Sequence, residues 1–470
     1  MNNKIFHSAA SLLAALAMLT GCSDYLDNVP KGEKIPTTLS DFTELMADEY
    51  TNHREDITQA SILLNDRYVS QSYRSYYPLW KANYFWDTSI DRVKENKSDE
   101  TTYYNVYAGI STANLILENV ETATEATEEA RAAAAAQARF LRASRYLTLV
   151  NFYCRPYNAA TAATDGGVPV ITSADVGAAY TQKSVQEVYN FILEDLTMAV
   201  SDLPEKSENV LYANKAAGYA LLARTYLNMG NYTAALQNAN EALSRNDTLY
   251  DWTAYYDEHK TAITSEGVYQ STESPMGHDW CENYYFCHGS NSYSGSEPQV
   301  SVWRAARFEQ GDAMFASRWK LRTVGAETYY KGLLSGYYNK GGLTTTEMWL
   351  VKAECLAQQG DISQAMEIVN KVRAKHILPD HYQPWTATTE EEEAVKAVIK
   401  VKCNALVQTI VPFMDRRRWN QDSRYAETFS KTEDGNDYSL APDSYMWVMP
   451  IRQGAIDNPG NGSIKQNVDK

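Results

Sequence analysis

Cysteine is scarce in this chain, six in 470 residues, too few to staple a disulfide scaffold. Cations are short as well: Lys plus Arg number 43 against 59 Asp plus Glu, a formal charge of −16. A surface this acidic repels a phosphate backbone, which argues against sequence-independent binding of nucleic acid. Beyond the first twenty residues or so, no apolar run is long enough to span a bilayer. Enzyme signatures are missing too: there is no Gly-x-Ser-x-Gly elbow, no Walker loop and no His-Glu-x-x-His. Two carboxylates would suffice for a glycosidase. Among 59 acids such pairs are inevitable, and spacing along the chain says nothing about separation in space. Aromatics are plentiful instead. The chain has 34 Tyr, 10 Trp and 11 Phe, a surplus that implies an aromatic-rich core, a recognition surface or both. At 44% hydrophobic the chain has ample material for a core, which excludes disorder and collagen-like structure.

The N-terminus carries an address. Lys4 sits in a short polar start, and Ala9 to Leu19 is apolar except for Ser11. That run is too short to cross a bilayer and reads as the core of a secretory signal. It ends in Leu19-Thr20-Gly21-Cys22, which resembles the bacterial lipobox. Residues 1–21 are therefore expected to be a signal peptide and Cys22 the lipidated mature N-terminus, holding the protein on a membrane through its acyl chains. The alternative is an ordinary secreted protein. Ser23, not Asp, follows Cys22, which favours the outer membrane.

The remainder has helical apolar spacing and little strand-like alternation. Glu125 to Tyr153 is Ala-rich with a stripe of Phe140, Leu141, Leu147 and Val150; Val185 to Leu203 repeats the pattern and stops at Pro204. Thr388 or Thr389 is expected to cap a helix whose first turn is Glu390 to Glu393. Two stretches match at a constant offset of 130 positions: Ala223, Tyr226, Gly230, Tyr232, Ala235, Ala239, Ala242, and Ala353, Leu356, Gly360, Ile362, Ala365, Val369, Val372. The spacing resembles the tetratricopeptide repeat, a two-helix hairpin. No such hairpin buries its apolar face alone, so several should stack, with a further pair from residues 125–203. The expected fold is thus dominated by α-helix, with tetratricopeptide-like hairpins and irregular, loop-rich insertions. Residues 22–40 form a tether and 41–470 a single helical-repeat domain, with insertions at about 65–110 and 250–340. Those insertions hold the aromatic clusters of residues 65–91 and 272–338, which for most of their length lack helical spacing.

In order along nearly the whole chain, the residues resemble the SusD/RagB family of surface nutrient-binding lipoproteins. The likeness starts at the lipobox and Cys22-Ser23-Asp24-Tyr25-Leu26-Asp27 and continues through Ala138-Arg139-Phe140-Leu141-Arg142-Ala143 and Gly166-Gly167-Val168-Pro169. It takes in the repeat from Ala220 to Leu243 and the helix around Trp349 to Glu354. It closes with Asp415-Arg416-Arg417-Arg418-Trp419, Met449-Pro450-Ile451, Asn458-Pro459 and Gln466-Asn467. One departure is the helix before Arg416, where Val401 to Gln408 lacks the family's usual acids. The resemblance implies a helical-repeat body and docking on a SusC-like TonB-dependent transporter. It also implies capture of oligosaccharide or another nutrient, without catalysis and without a cofactor.

A sugar site needs flat rings against C–H faces and amides, acids or Arg for the hydroxyls. The first insertion offers Trp80, Tyr84 and Trp86, with Asn83 and Arg92 as polar partners, and the second Trp280, Tyr284, Tyr285 and Trp303. For each, packing in the core or on the transporter is the competing reading. His278, Cys281, Cys287 and His288 leave a Cys281–Cys287 disulfide, free thiols and zinc open, although five residues between the cysteines do not make the usual close zinc pair. Cys154, Cys355 and Cys403 read as buried small hydrophobes; Arg416 to Arg418 could bind an anion, but pairing with the surplus acids explains them, like Arg139, Arg142 and Arg145, more simply. The rival functions are a lipid-anchored glycoside hydrolase and a repeat scaffold that binds a peptide or protein.

Overall fold

Helices that alternate hydrophobic and small residues every third or fourth position have one face to bury, and here they bury it against their sequence neighbours. The computed structural model describes residues 36–96, 102–265, 272–289, 297–386 and 389–469; the signal segment, the lipobox, Cys22 and Thr388 lie outside them. The body helices are α1 (Thr102–Asn119), α2 (Glu128–Tyr153), α3 (Val185–Asp202), α4 (Lys215–Asn228), α5 (Tyr232–Leu243), α6 (Thr345–Gln358), α7 (Ile362–His376), α8 (Glu391–Ala405) and α9 (Val411–Trp419). From α1 to α7 each packs on the next, and α8 packs on both α6 and α7.

The two matching stretches are the hairpins α4–α5 and α6–α7. Each turns through a glycine in the left-handed region, Gly230 at φ 73° and Gly360 at φ 84°, a conformation that costs a residue with a Cβ about 1 kcal/mol or more. The next residue caps the second helix: Asn231 accepts from Ala234 N and Asp361 from Gln364 N. Ala235, Ala239 and Ala242 are fully buried on α5, which lets α5 lie close against α6 and makes one stack of two hairpins. The α2–α3 pair adds the expected third, started by Thr127 at the N-cap of α2 and a Ser184–Glu187 capping box on α3. At α8 the expectation fails. The N-cap is Glu390, without a side-chain cap, and the acids Glu391 to Glu393 favour the helix start through its dipole while pairing with Lys396 and Arg424.

Buried arginines tie the stack together. Arg142 holds Asp195 at 2.7 Å across α2 and α3, and Arg224 holds Glu347 at 2.6 Å across α4 and α6. At the end of α8, where acids are missing from Val401 onward, Lys402 reaches Asp415 of α9 at 2.6 Å and Glu354 of α6 at 3.3 Å; Arg418 contacts the same two carboxylates. Removing one member of such a buried set costs about 3–5 kcal/mol, because its partner is left as an uncompensated charge. The C-terminal segment returns to the end of α2: Met449 N donates to Phe152 O at 2.7 Å, and Asn467 donates to Tyr153 O and Gly167 O.

The insertions are more regular than expected. The first holds the short helices Gln71–Tyr76, Pro78–Phe85 and Arg92–Glu95, and its last residues already belong to α1. The second carries the helix Trp252–Thr264 and a three-stranded antiparallel sheet of β1 (Val300–Ser301), β2 (Trp319–Val324) and β3 (Glu327–Gly332), in the order β1-β3-β2. A further hairpin, β4 (Phe429–Glu433) and β5 (Asn436–Leu440), turns at Asp434-Gly435, both at positive φ.

Candidate functional site

The first site is a shelf of rings. Ser70 caps Gln71–Tyr76, and Pro78 starts Pro78–Phe85 at the position where its missing N–H has no partner to lose. Tyr73, Tyr76, Tyr77 and Trp80 then fall at i, i+3, i+4 and i+7, the spacing of a single helical face. Trp80 stacks on Tyr77 at 4.9 Å and on Tyr73 at 5.6 Å, with interplanar angles of 27° and 18°. The Arg67 guanidinium lies 4.9 Å from the Trp80 ring. An apolar stripe at this spacing ordinarily faces a core, yet Tyr76 is 75% and Tyr73 52% exposed. Trp80 is half-buried, and its indole Nε1 has no hydrogen-bond partner among the described residues.

The shelf is pinned from beneath. Arg74, on the opposite face, donates to Glu433 at 2.6 Å and lies over the rings of Tyr84 and Phe85. Glu327 of β3 accepts from Tyr68 Oη at 2.8 Å and from Gln71 N at 2.6 Å. Two hairpins therefore fix the rings, and the rings need no ligand to be ordered.

The second site is a cleft of about 790 Å³ between the length of α8, Pro412 and Arg416 of α9, the segment 423–427 that follows α9, Phe429 at the start of β4, and residues 303–308. Trp303 and Phe429 meet edge-on at 5.4 Å, and Trp303 Nε1 donates to Ser430 O at 2.6 Å. Arg307 lies 4.0 Å over the Trp303 ring and pairs with Glu427 at 2.7 Å, which also takes Arg416 at 3.0 Å. The β4–β5 hairpin joins the two sites, since Ser430 holds Trp303 and Glu433 holds Arg74.

The sequence candidates divide accordingly. Trp80 stands on the shelf and Trp303 in the cleft. Trp280 is half-buried against Tyr250 and belongs to neither. The other six are corrected to packing roles. Asn83 is fully buried, donating to Gln59 at 2.7 Å, and Arg92, equally buried, donates to Asn83 and to Met446 O. Tyr84 lies under the Lys431 ammonium at 3.5 Å, and Trp86 donates to Leu63 O at 2.7 Å from a left-handed backbone position. Tyr284 and Tyr285 are 2% and 4% exposed, Tyr285 packed edge-on against Phe140 at 4.8 Å. Cys281 and Cys287 are both free thiols, not a disulfide. Cys281 is exposed; Cys287 is buried, its thiol pushed up to about 11 by burial against the opposing pull of Arg145. His278 pairs with Glu49 at 3.1 Å and His288 stacks on Tyr337 at 4.3 Å; no group of three metal-ligating side chains occurs among the described residues.

Sequence reasoning passed over Tyr73, Tyr76 and Tyr77 as a stripe, although their spacing with Trp80 is readable once Pro78 is taken as a helix start. It also missed the β4–β5 hairpin, which Asp434-Gly435 signals. The cleft's Arg307 and Lys400 carry no local mark, since neighbours about a hundred residues away create their setting.

Comparison with known proteins agrees with the fold. Residues 24–227 match a SusD-like family described as starch-binding and associating with the outer membrane. Residues 216–248, spanning the α4–α5 hairpin, match a tetratricopeptide repeat. A curated SusD-like protein of Bacteroides ovatus is 27% identical over 243 residues, 48% of this chain and 40% of that protein, so the match spans less than half of the relative. A solved SusD superfamily protein of Bacteroides vulgatus superposes with a TM-score of 0.70 at 17% identity, over 92% of this chain and 99% of the other. A SusD-like carbohydrate binding protein of the same species gives 0.65 at 15% identity, over 92% and 100%.

Proposed function

We propose, from its likeness to SusD-like proteins, that the chain captures carbohydrate at the outer membrane without cleaving it and passes it to a partner TonB-dependent transporter. Lipid on Cys22 would hold it there, with residues 22–40 as tether and 41–470 as the binding domain. The observation that carries the reading is the outward stripe of Tyr73, Tyr76, Tyr77 and Trp80. Two exposed rings, Tyr73 and Tyr76, beside the half-buried Tyr77 and Trp80 offer flat contact to sugar C–H faces, and the half-buried Arg67 guanidinium next to Trp80 offers donors to hydroxyls. Stacking and a few hydrogen bonds against a solvated sugar leave modest affinity after ordering costs, which suits a protein that must release its cargo.

Calorimetry with the purified chain across a panel of neutral and acidic polysaccharides tests this. The expected result is binding to at least one glycan that weakens in Trp80→Ala. Turnover of any glycan by the purified chain overturns the non-catalytic reading. Binding of a peptide with no glycan bound overturns the carbohydrate reading in favour of a scaffold. Labelling of Cys22 by a fatty-acid probe in cells tests the anchor, and co-purification with a TonB-dependent transporter tests the partner.

A further inference from the structure

The cleft beside Trp303 differs in charge from the chain around it. Arg304, Arg307, Lys396, Lys400, Arg416 and Arg424 line it against the carboxylates of Asp66, Glu392 and Glu427, in a protein whose net charge is −16. Pairing reduces that surplus without removing it. Asp66 neutralises Arg304, and Glu392 neutralises Lys396 at 2.6 Å. Arg424 is held by Asp422 and Glu391, which stand outside the lining. What remains are two guanidiniums, Arg307 and Arg416, sharing the single carboxylate of Glu427, and the exposed Lys400, which has no ion-pair partner among the described residues. Its ammonium lies 5.2 Å from the Trp385 ring. Trp303 and Phe429 supply apolar surface beside these charges, in a space large enough for a sugar ring.

We propose that this cleft seats a carboxylate-bearing sugar unit, a uronic acid within the captured glycan, with its carboxylate toward Arg307 and Lys400 and its ring against Trp303 and Phe429. The proposal deepens the carbohydrate reading and rests on it. A guanidinium fork matches a planar carboxylate in two parallel hydrogen bonds, and one shared Glu leaves donors over. The acidic surface as a whole repels a densely charged polymer, so the fit is to a glycan carrying sparse carboxylates, not to a sulfated polyanion.

The test compares affinities of the full chain for oligosaccharides bearing galacturonate, glucuronate or mannuronate units with those for the same oligosaccharides after reduction of the carboxyl to the alcohol. At least one acid form is expected to bind about tenfold or more tightly than its reduced form, and raising ionic strength should shrink that preference. The preference should collapse in Arg307→Gln/Lys400→Gln. Lys400→Gln alone, at an exposed position, gives a partial collapse even where the double variant folds poorly. Equal binding of acid and reduced forms, or a preference unchanged in both variants, overturns the proposal while leaving glycan capture standing. Tighter binding of a sulfated oligosaccharide than of every uronate overturns the carboxylate assignment. Absence of binding to neutral and acidic glycans alike overturns the carbohydrate reading itself.

Discussion

The two aromatic-rich stretches place their rings differently. In the second stretch, residues 272–338, the rings at the strand Asn283–Tyr285 turn inward: Tyr284, Tyr285 and the following Phe286 are 2%, 4% and 0% exposed, because the strand is covered on both faces, while Trp303 stays half-buried at the cleft. In residues 65–91 the chain splits. Tyr84, Phe85 and Trp86 go in, while Tyr73 and Tyr76 stay out. A ring at strand spacing alternates between two faces, and here both faces meet protein. A ring at helical spacing can share one face with three others, and that face was left open. Period, and what stands opposite, decide which aromatics are available to a ligand; composition does not.

Substituting inward and outward rings should separate them most widely. Tyr285→Ala removes a buried ring packed on Phe140 and His53 and should cost about 3–5 kcal/mol, read by denaturant unfolding. Loss below about 1 kcal/mol would break the contrast. Next comes pH. Glu282, beside Tyr284 in the inward stretch, has its pKa raised to about 7 by burial, against a backbone N–H from Tyr250 that pulls the other way. The folded state therefore keeps a proton that the unfolded chain releases near pH 4.5, and this stabilisation is present below that pH and lost as pH rises through about 7. Glu282→Gln should raise the midpoint of unfolding at pH 8, by up to about 3 kcal/mol, with the gain gone near pH 4. A pH-independent effect would deny the buried acid its role. Trp80→Ala should weaken the best glycan about tenfold or more, roughly 1.4 kcal/mol, with smaller loss of fold stability than Tyr285→Ala. The smallest change is Tyr76→Ala. Unfolding should shift by no more than about 0.5 kcal/mol, while glycan affinity drops a few-fold in calorimetry.

Much of the fold was legible. The 130-residue offset marked both hairpins because Gly230 and Gly360 do a job that side chains resist, and the small residues around them need close neighbours. Five of the six arginines were legible as partners of acids, which is how Arg139, Arg142, Arg145, Arg416 and Arg418 are found; Arg417 departs from that expectation, donating to the main-chain carbonyls of Asn151 and Cys154. The candidate site was far less so. Asn83 and Arg92, polar groups among aromatics, look like a sugar's partners in sequence, but their acceptors are Gln59 and a main-chain carbonyl 354 residues away. No local pattern announces such a contact. The cleft around Trp303 draws on segments separated by about a hundred residues for the same reason.

The open rings stack on one another and ride on two short turns of chain outside the nearest-neighbour stack, and those turns are fastened to the body by Arg74, Glu327 and Glu433. Exchanging them leaves those fastenings untouched. Side chains on that open face can therefore change without disturbing what holds the two turns to the body.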